Sequence, residues 1–240
     1  MSGHSKWHCI KHKKAITDGK KGKVLTKHAK LLAIVGRGDP NPETNSSLRV
    51  AIQNAKADSV PKENIDRILK KLAGEGKNSA QFSEHVYEGY GPEGVPFLVT
   101  ALTDNPLRTL PLVRVAFQKH GGNFGSSGAV MFLFDHVGVI SIKNAGRTED
   151  QLFELAIDAG ADNFEFGEEE SEITTKFTNL AHVRDALMKK GVEVLKSEPQ
   201  YRAKDPKIVS GATLEKVERF VEVLEEIEDV DEVFGGFDVE

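Results

Sequence analysis

The chain of 240 residues has one cysteine, Cys9, which excludes an internal disulfide and fits a reducing compartment. It has no apolar run of about 18 residues, so no membrane-spanning helix is expected. The lysine-rich N-terminus is not followed by an apolar segment, which argues against a secretory leader. No arginine precedes Arg37, which argues against a transit peptide. A cytoplasmic protein without membrane contact is expected. A dinucleotide fingerprint and a Walker motif are both missing, and no local Ser/His/Asp or Cys/His grouping forms a triad. No catalytic residue, cofactor or metal is therefore expected. An enzymatic alternative would have to draw on residues such as Asp104, Arg108 and His120 in an interdomain cleft.

What is present is a segregation of charge. The formal net charge is −5. Residues 1–80 hold 17 Lys+Arg against 7 Asp+Glu (net +10), whereas residues 81–240 hold 15 against 30 (net −15). The first thirty residues alone contain nine lysines, one acid, four of the eight histidines and the only tryptophan. One end of such a chain attracts a phosphate backbone and the other repels it.

The candidate nucleic-acid-binding residues are Lys6, Trp7, Lys11, His12, Lys13, Lys14, Lys20, Lys21, Lys23, Lys27 and Lys30, joined further on by Lys62 and Arg67. Each phosphate neutralised steepens the salt dependence of log K by about 0.9 for duplex DNA and about 0.7 for a single strand. The Trp7 indole offers a face for an unpaired base, worth about 1–3 kcal/mol when stacked. Lysine without arginine favours phosphate contact over bidentate base reading. The alternative is a solvated tail. His4, His8, Cys9 and His12 invite a zinc reading, but Lys6, Lys11, Lys13 and Lys14 would crowd a dication, and no second ligand pair accompanies them.

The expected fold class is α+β, an N-terminal helical domain plus two α/β domains, one ferredoxin-like and inserted into the other. Residues 1–80 read as helical. Leu25, Ala29, Leu32 and Val35 share one helix face; Leu48, Ala51, Ile52 and Ala55 share a second; Ile65, Ile68, Leu69 and Leu72 share a third after Pro61. From 137 onward the pattern is strand 137–142, helix 148–159, strand 164–166, strand 172–177, helix 180–190, strand 192–197. That is the βαββαβ order of a ferredoxin-like unit. Before it come strands at 86–90, 95–102 and 130–134 and one helix at 107–120. After it come a helix at 214–227 and a strand at 230–234. One helix cannot cover the first sheet, so layer packing calls for a discontinuous domain of residues 82–135 with 205–240, interrupted by residues 136–204.

Three further motifs have competing readings. Helices 47–57 and 61–72 have the spacing of a helix-turn-helix, with Lys62, Asn64 and Arg67 facing a groove; a plain bundle turn is the alternative. The run Gly121–Gly128 follows a helix and precedes a strand. That is the reverse of a phosphate-cradling loop, so a helix C-cap and turn is expected there. The acidic runs at 168–170 and 222–232 read as solvated surface, with a metal or a basic protein partner as the alternatives.

The residues Gly3-His-Ser-Lys-Trp7 with Ile10-Lys-His12 resemble the opening of the YebC/PmpR family, which includes translational activators of mitochondrial cytochrome oxidase. The match continues through Pro61-Lys-Glu-Asn-Ile65 with Arg67, Tyr87-Glu-Gly-Tyr-Gly-Pro92, Thr103-Asp-Asn105 with Arg108-Thr109, and Lys119-His-Gly-Gly-Asn123 with Gly125. The resemblance implies a helical domain and two α/β domains around a cleft. It also implies a non-enzymatic regulator whose partner is nucleic acid, either DNA or ribosomal RNA on the ribosome, in the latter case assisting translation, including through proline-rich stretches. Pro106-Leu107 stands where the family usually has an arginine after Asp-Asn, which removes a cation from the 104–109 loop.

Overall fold

The structure, a computed structural model, describes residues 18–74 and 81–239. Three helices come first: α1 (Asp18–Val35), α2 (Ser46–Ala57) and α3 (Lys62–Gly74). Their apolar faces meet in a small core of Leu32, Leu48, Ala51, Ala55, Val60 and Ile65. Asn45 ties the first two helices together. Its Oδ1 accepts from Leu48 N at 3.0 Å, while its Nδ2 donates to the carbonyls of Val35 (2.7 Å) and Asp39 (2.8 Å). One side chain thereby caps the N-terminus of α2 and satisfies the frayed end of α1. The α2–α3 turn contains no glycine; Ser59 takes the left-handed conformation there, at φ 60°.

The first sheet uses β1 (Ser83–Tyr90), β2 (Pro96–Thr103), β3 (Asn123–Phe124) and, more than a hundred residues later, β9 (Val230–Gly235), in the order β3-β1-β2-β9. Its helices are α4 (Pro106–Lys119) and α7 (Gly211–Glu226). β2 is buried on both faces. Phe97, Val99 and Ala101 point into the core with the helices, and Leu98 points to a second layer of Val130, Phe134 and Phe234. Phe97, Phe117 and Phe220 form the centre of the first core, edge to face at 5.0 and 4.9 Å between ring centroids.

Between β3 and β9 lies the inserted unit: β4 (Phe134–Lys143), α5 (Glu149–Ala159), β5 (Asn163–Glu165), β6 (Glu170–Lys176), α6 (Leu180–Lys189) and β7 (Val194–Ala203). Its antiparallel sheet has the order β5-β6-β4-β7, the ferredoxin-like arrangement. Helix α5 starts with a reciprocal capping box between Thr148 and Gln151. A parallel pair, β8 (Lys207–Val209) with β10 (Phe237–Val239), closes the chain.

Two expected strands differ. Residues 130–134 do not form one; Met131–Leu133 is a 3-10 turn, and β4 begins at Phe134. The cause is Glu88, 4% exposed, whose carboxylate accepts from Gly128 N (2.6 Å), Val130 N (2.9 Å) and Met131 N (2.8 Å) and so takes the amides a strand would need. The strand expected at 192–197 starts later and runs on to Ala203, past Pro199. Among the described residues β7 is an edge strand pairing only with β4, so the missing N–H of Pro199 breaks no strand ladder.

Candidate nucleic-acid interface

Of the predicted binding residues, Lys6, Trp7, Lys11, His12, Lys13 and Lys14 lie outside the described residues, as does the His4–His12 group considered for zinc. Lys20 and Lys21 lie in the first turn of α1. Lys23, Lys27 and Lys30 follow at intervals of four and three, which places them on one helix face. That face looks inward, onto the acidic end of the first α/β unit. Lys23 Nζ donates to the carbonyl of Glu225 at 2.7 Å. Lys27 Nζ lies 2.6 Å from Glu232 Oε1 and 3.1 Å from Asp231 Oδ1. Lys30, 8% exposed, reaches Asp229 Oδ1 at 2.8 Å. Burial opposes the charge on Lys27, but Glu232 and Asp231 outweigh it and hold its pKa well above the usual lysine range.

Asp229 is the hub of this contact. It also accepts from Thr109 Oγ1 (2.8 Å), Thr103 Oγ1 (3.3 Å) and Arg108 Nη2 (2.8 Å). Burial works against its ionisation, yet the hydrogen bonds from Lys30, Arg108 and Thr109 hold its pKa down at about 2. A second ionic chain leaves the same helix. His28, nearly fully buried, contacts Asp58 Oδ2 through Nε2 at 2.8 Å. Asp58 in turn lies 3.4 Å from Lys196 Nζ, which meets Glu198 at 3.0 Å.

The helical region also closes the sheet of the inserted unit. Asn54 Nδ2 donates to the Ser197 carbonyl at 2.8 Å, and Ser197 N donates to Asn54 Oδ1 at 3.0 Å. Beside it, Gln53 Nε2 donates to the Val194 carbonyl at 2.8 Å. A helix amide therefore stands where the next strand would be, and the three helices are wedged against both sheets.

Among the described residues, further exposed cations of the helical region are on the next two helices. Lys62, Arg67, Lys70 and Lys71 of α3 are exposed, as are Arg49 and Lys56 of α2. Their inward neighbours Leu48, Ala51 and Ile65 are buried, so the helix periodicity that builds the core also turns these cations outward. Arg67 Nη2 donates to Asn64 Oδ1 at 3.0 Å, which steadies its guanidinium on the helix surface.

The enzymatic grouping does not assemble. Arg108 bridges Asp104 (3.0 Å) and Asp229, while His120 sits at the far end of α4, roughly 18 Å along the axis at 1.5 Å per residue. Leu107 is 82% exposed at the start of that helix, where Asn105 and Pro106 form an N-cap and first turn. The glycine run is a helix terminus: Gly121 is left-handed at φ 76°, and Gly122 N donates to the Phe117 carbonyl at 2.8 Å. Sequence reasoning missed a groove of about 590 Å³ between β1, α4 and the 123–127 loop. Arg114 stands over the Phe124 ring there at 5.3 Å, with Gln118, Asn123 and Ser126 alongside. Among the described residues no cluster of His, Cys, Asp and Glu could hold a metal ion. Among the same residues, no helix is long and apolar enough to cross a membrane.

Two family profiles match the chain: TACO1/YebC protein N-terminal domain over residues 5–75, and TACO1/YebC second and third domain over residues 82–237. A probable transcriptional regulatory protein of Thermoanaerobacter pseudethanolicus is 44% identical, the alignment covering 100% of this chain and 98% of that protein. Another from Hathewaya histolytica is also 44% identical, over 98% of this chain and 96% of the relative. The crystal structure of a conserved hypothetical protein from Aquifex aeolicus is similar throughout. Its TM-score is 0.83 at 38% identity, covering 95% of this chain and 97% of that one.

Proposed function

This chain belongs to the TACO1/YebC family, and on that premise we propose that it is a non-enzymatic regulator of gene expression that binds nucleic acid in the cytoplasm. The observation that carries the reading is the outward set of cations on α3, Lys62, Arg67, Lys70 and Lys71, in the same region as the lysine-rich opening. The sequence adds Lys6, Trp7, Lys11, His12, Lys13, Lys14, Lys20 and Lys21 as further candidates for contact with phosphates and bases. Lys23, Lys27 and Lys30 set its orientation by docking α1. The names of the relatives support regulation of transcription as the process, and we take DNA as the target that this process implies.

The second reading, a ribosome-associated translation factor binding ribosomal RNA, is favoured by two features. The cations are mostly lysines, which meet phosphates as point charges and read few bases. The fixed wedge of helices also suits docking onto a large folded target.

Reversing Lys62, Arg67, Lys70 and Lys71 to Glu in the full chain is expected to weaken nucleic-acid binding about a hundredfold at low salt and to flatten the salt dependence. The melting temperature should hold, because the four side chains are exposed. Titrating duplex DNA and ribosomes at matched salt separates the two targets. Unchanged affinity for both would overturn the proposal.

A further inference from the structure

The inserted unit carries a surface of the opposite character where α5 meets β5. Residues 148–175 contain ten Asp/Glu and no Lys or Arg. The same stretch exposes large apolar side chains: Phe153 is 51% exposed, Ile157 49% and Phe166 42%. They are contiguous. Phe153 and Phe164 meet at 6.1 Å between ring centroids, Phe164 and Phe166 at 6.5 Å, and Ile157 lies one helical turn beyond Phe153. The adjoining face of α5 is already spent on the core through Leu152, Ala156 and Ala159. An amphipathic helix of ordinary kind would be polar on its outer side. Among the described residues β5 ends its sheet, pairing only with β6.

From this corner we propose a docking site for a lysine/arginine-rich protein segment with apolar side chains at alternate positions, running along the outer edge of β5. The charge selects the partner. Glu154, Asp158, Glu165 and Glu168 on and beside the patch repel phosphates and anionic headgroups, so the patch faces neither nucleic acid nor an anionic membrane. Four adjacent apolar side chains gain most from cover by other apolar groups. An extended segment meets both needs, because alternate residues point to opposite sides: one set onto the phenylalanines, the other toward the carboxylates. Lys190 already pairs with Asp158 at 2.8 Å, a solvent-exposed contact that an incoming cation can replace. Segments of this composition are common as arms of proteins that themselves bind nucleic acid. The site stands apart from the basic helices and does not depend on what they bind.

The test is a titration of the full chain with a synthetic twelve-residue peptide of alternating Lys/Arg and Leu/Val, and with a twin in which Glu replaces the cations. Saturable binding of the cationic peptide alone is expected, with amide shifts concentrated at residues 153–168. The pair Phe153→Ser and Ile157→Ser should weaken it about tenfold or more, as two apolar side chains lose their cover. Glu154→Lys with Glu168→Lys should weaken it at low salt, and Phe153→Leu should leave it intact. Affinity indifferent to all these changes, shifts mapping to the acidic face of α7, or no saturation would overturn the proposal. A dimer that Phe153→Ser dissociates would overturn it in favour of a second copy of this chain. Nucleic-acid affinity measured on the same variants should be unchanged, which keeps this site's failure distinct from that of the basic helices.

Discussion

Helices α1 and α3 carry similar cationic chemistry and use it in opposite ways. On α1, Lys27 and Lys30 point at carboxylates some two hundred residues away and are consumed by them. On α3, Lys62, Arg67, Lys70 and Lys71 meet solvent. The acidic residues divide in the same manner. Asp229, Asp231 and Glu232 are occupied by lysines, while Glu154 and Glu168 on the inserted unit stand exposed beside phenylalanines. Net charge therefore overstates the surface available to a partner. Part of the +10 and part of the −15 cancel inside the molecule as the contact that holds its regions together.

The comparison breaks most visibly at Lys30. Lys30→Glu would place a carboxylate against Asp229 in a buried site, and a loss of about 3–5 kcal/mol is expected, as for removing one partner of a buried pair. Chemical denaturation reads this directly, whereas the α3 reversals should leave the same curve in place. A midpoint as robust as that of the parent would mean that α1 is not held by this pair.

A smaller effect follows from Asp229 itself. Its folded pKa lies below the ordinary 3.8, at about 2. The associated stability is therefore complete above about pH 4 and is lost as pH falls through about 2. It amounts to on the order of 2 kcal/mol. The stability gap between the parent and Asp229→Asn should narrow across that window, and a gap constant with pH would contradict the assignment.

Gln53→Ala tests the other side of the wedge and should cost the least, about 0.5–1.5 kcal/mol for one hydrogen bond to the Val194 carbonyl. Faster amide exchange along β7 is the sharper readout. Protection equal to that of the parent would show that the neighbouring amide pair suffices.

The three helices, the βαββαβ order and the split first sheet were legible in the sequence, because apolar periodicity and layer packing operate over short distances. The turn at 131–133 was not, because what decides it is a carboxylate forty residues upstream at Glu88. The pairs formed by Lys27 and Lys30 were equally hidden. Their spacing at i and i+3 showed that they share a face, but only the tertiary fold shows that β9 occupies it. The β8–β10 pair, three residues per strand, is too short for a period to register. The aromatic patch left a trace in sequence, since Phe153 and Ile157 fall outside the helix stripe of Leu152, Ala156 and Ala159. Only the neighbouring acidic run at 168–170 has a reading from sequence, as solvated surface, because carboxylates dominate the composition there.

The Asn54–Ser197 pairing has a consequence for how the molecule works as a unit. An amide that both gives to and takes from one strand residue fixes the helix in register with that strand, to within the tolerance of a hydrogen bond. Lys30 and Asp229 fix the same three helices to the other sheet. With two such attachments the chain behaves as a ruler rather than as beads on a string. Anything gripped by α3 is held at a set distance and angle from whatever sits on the corner of α5 and β5.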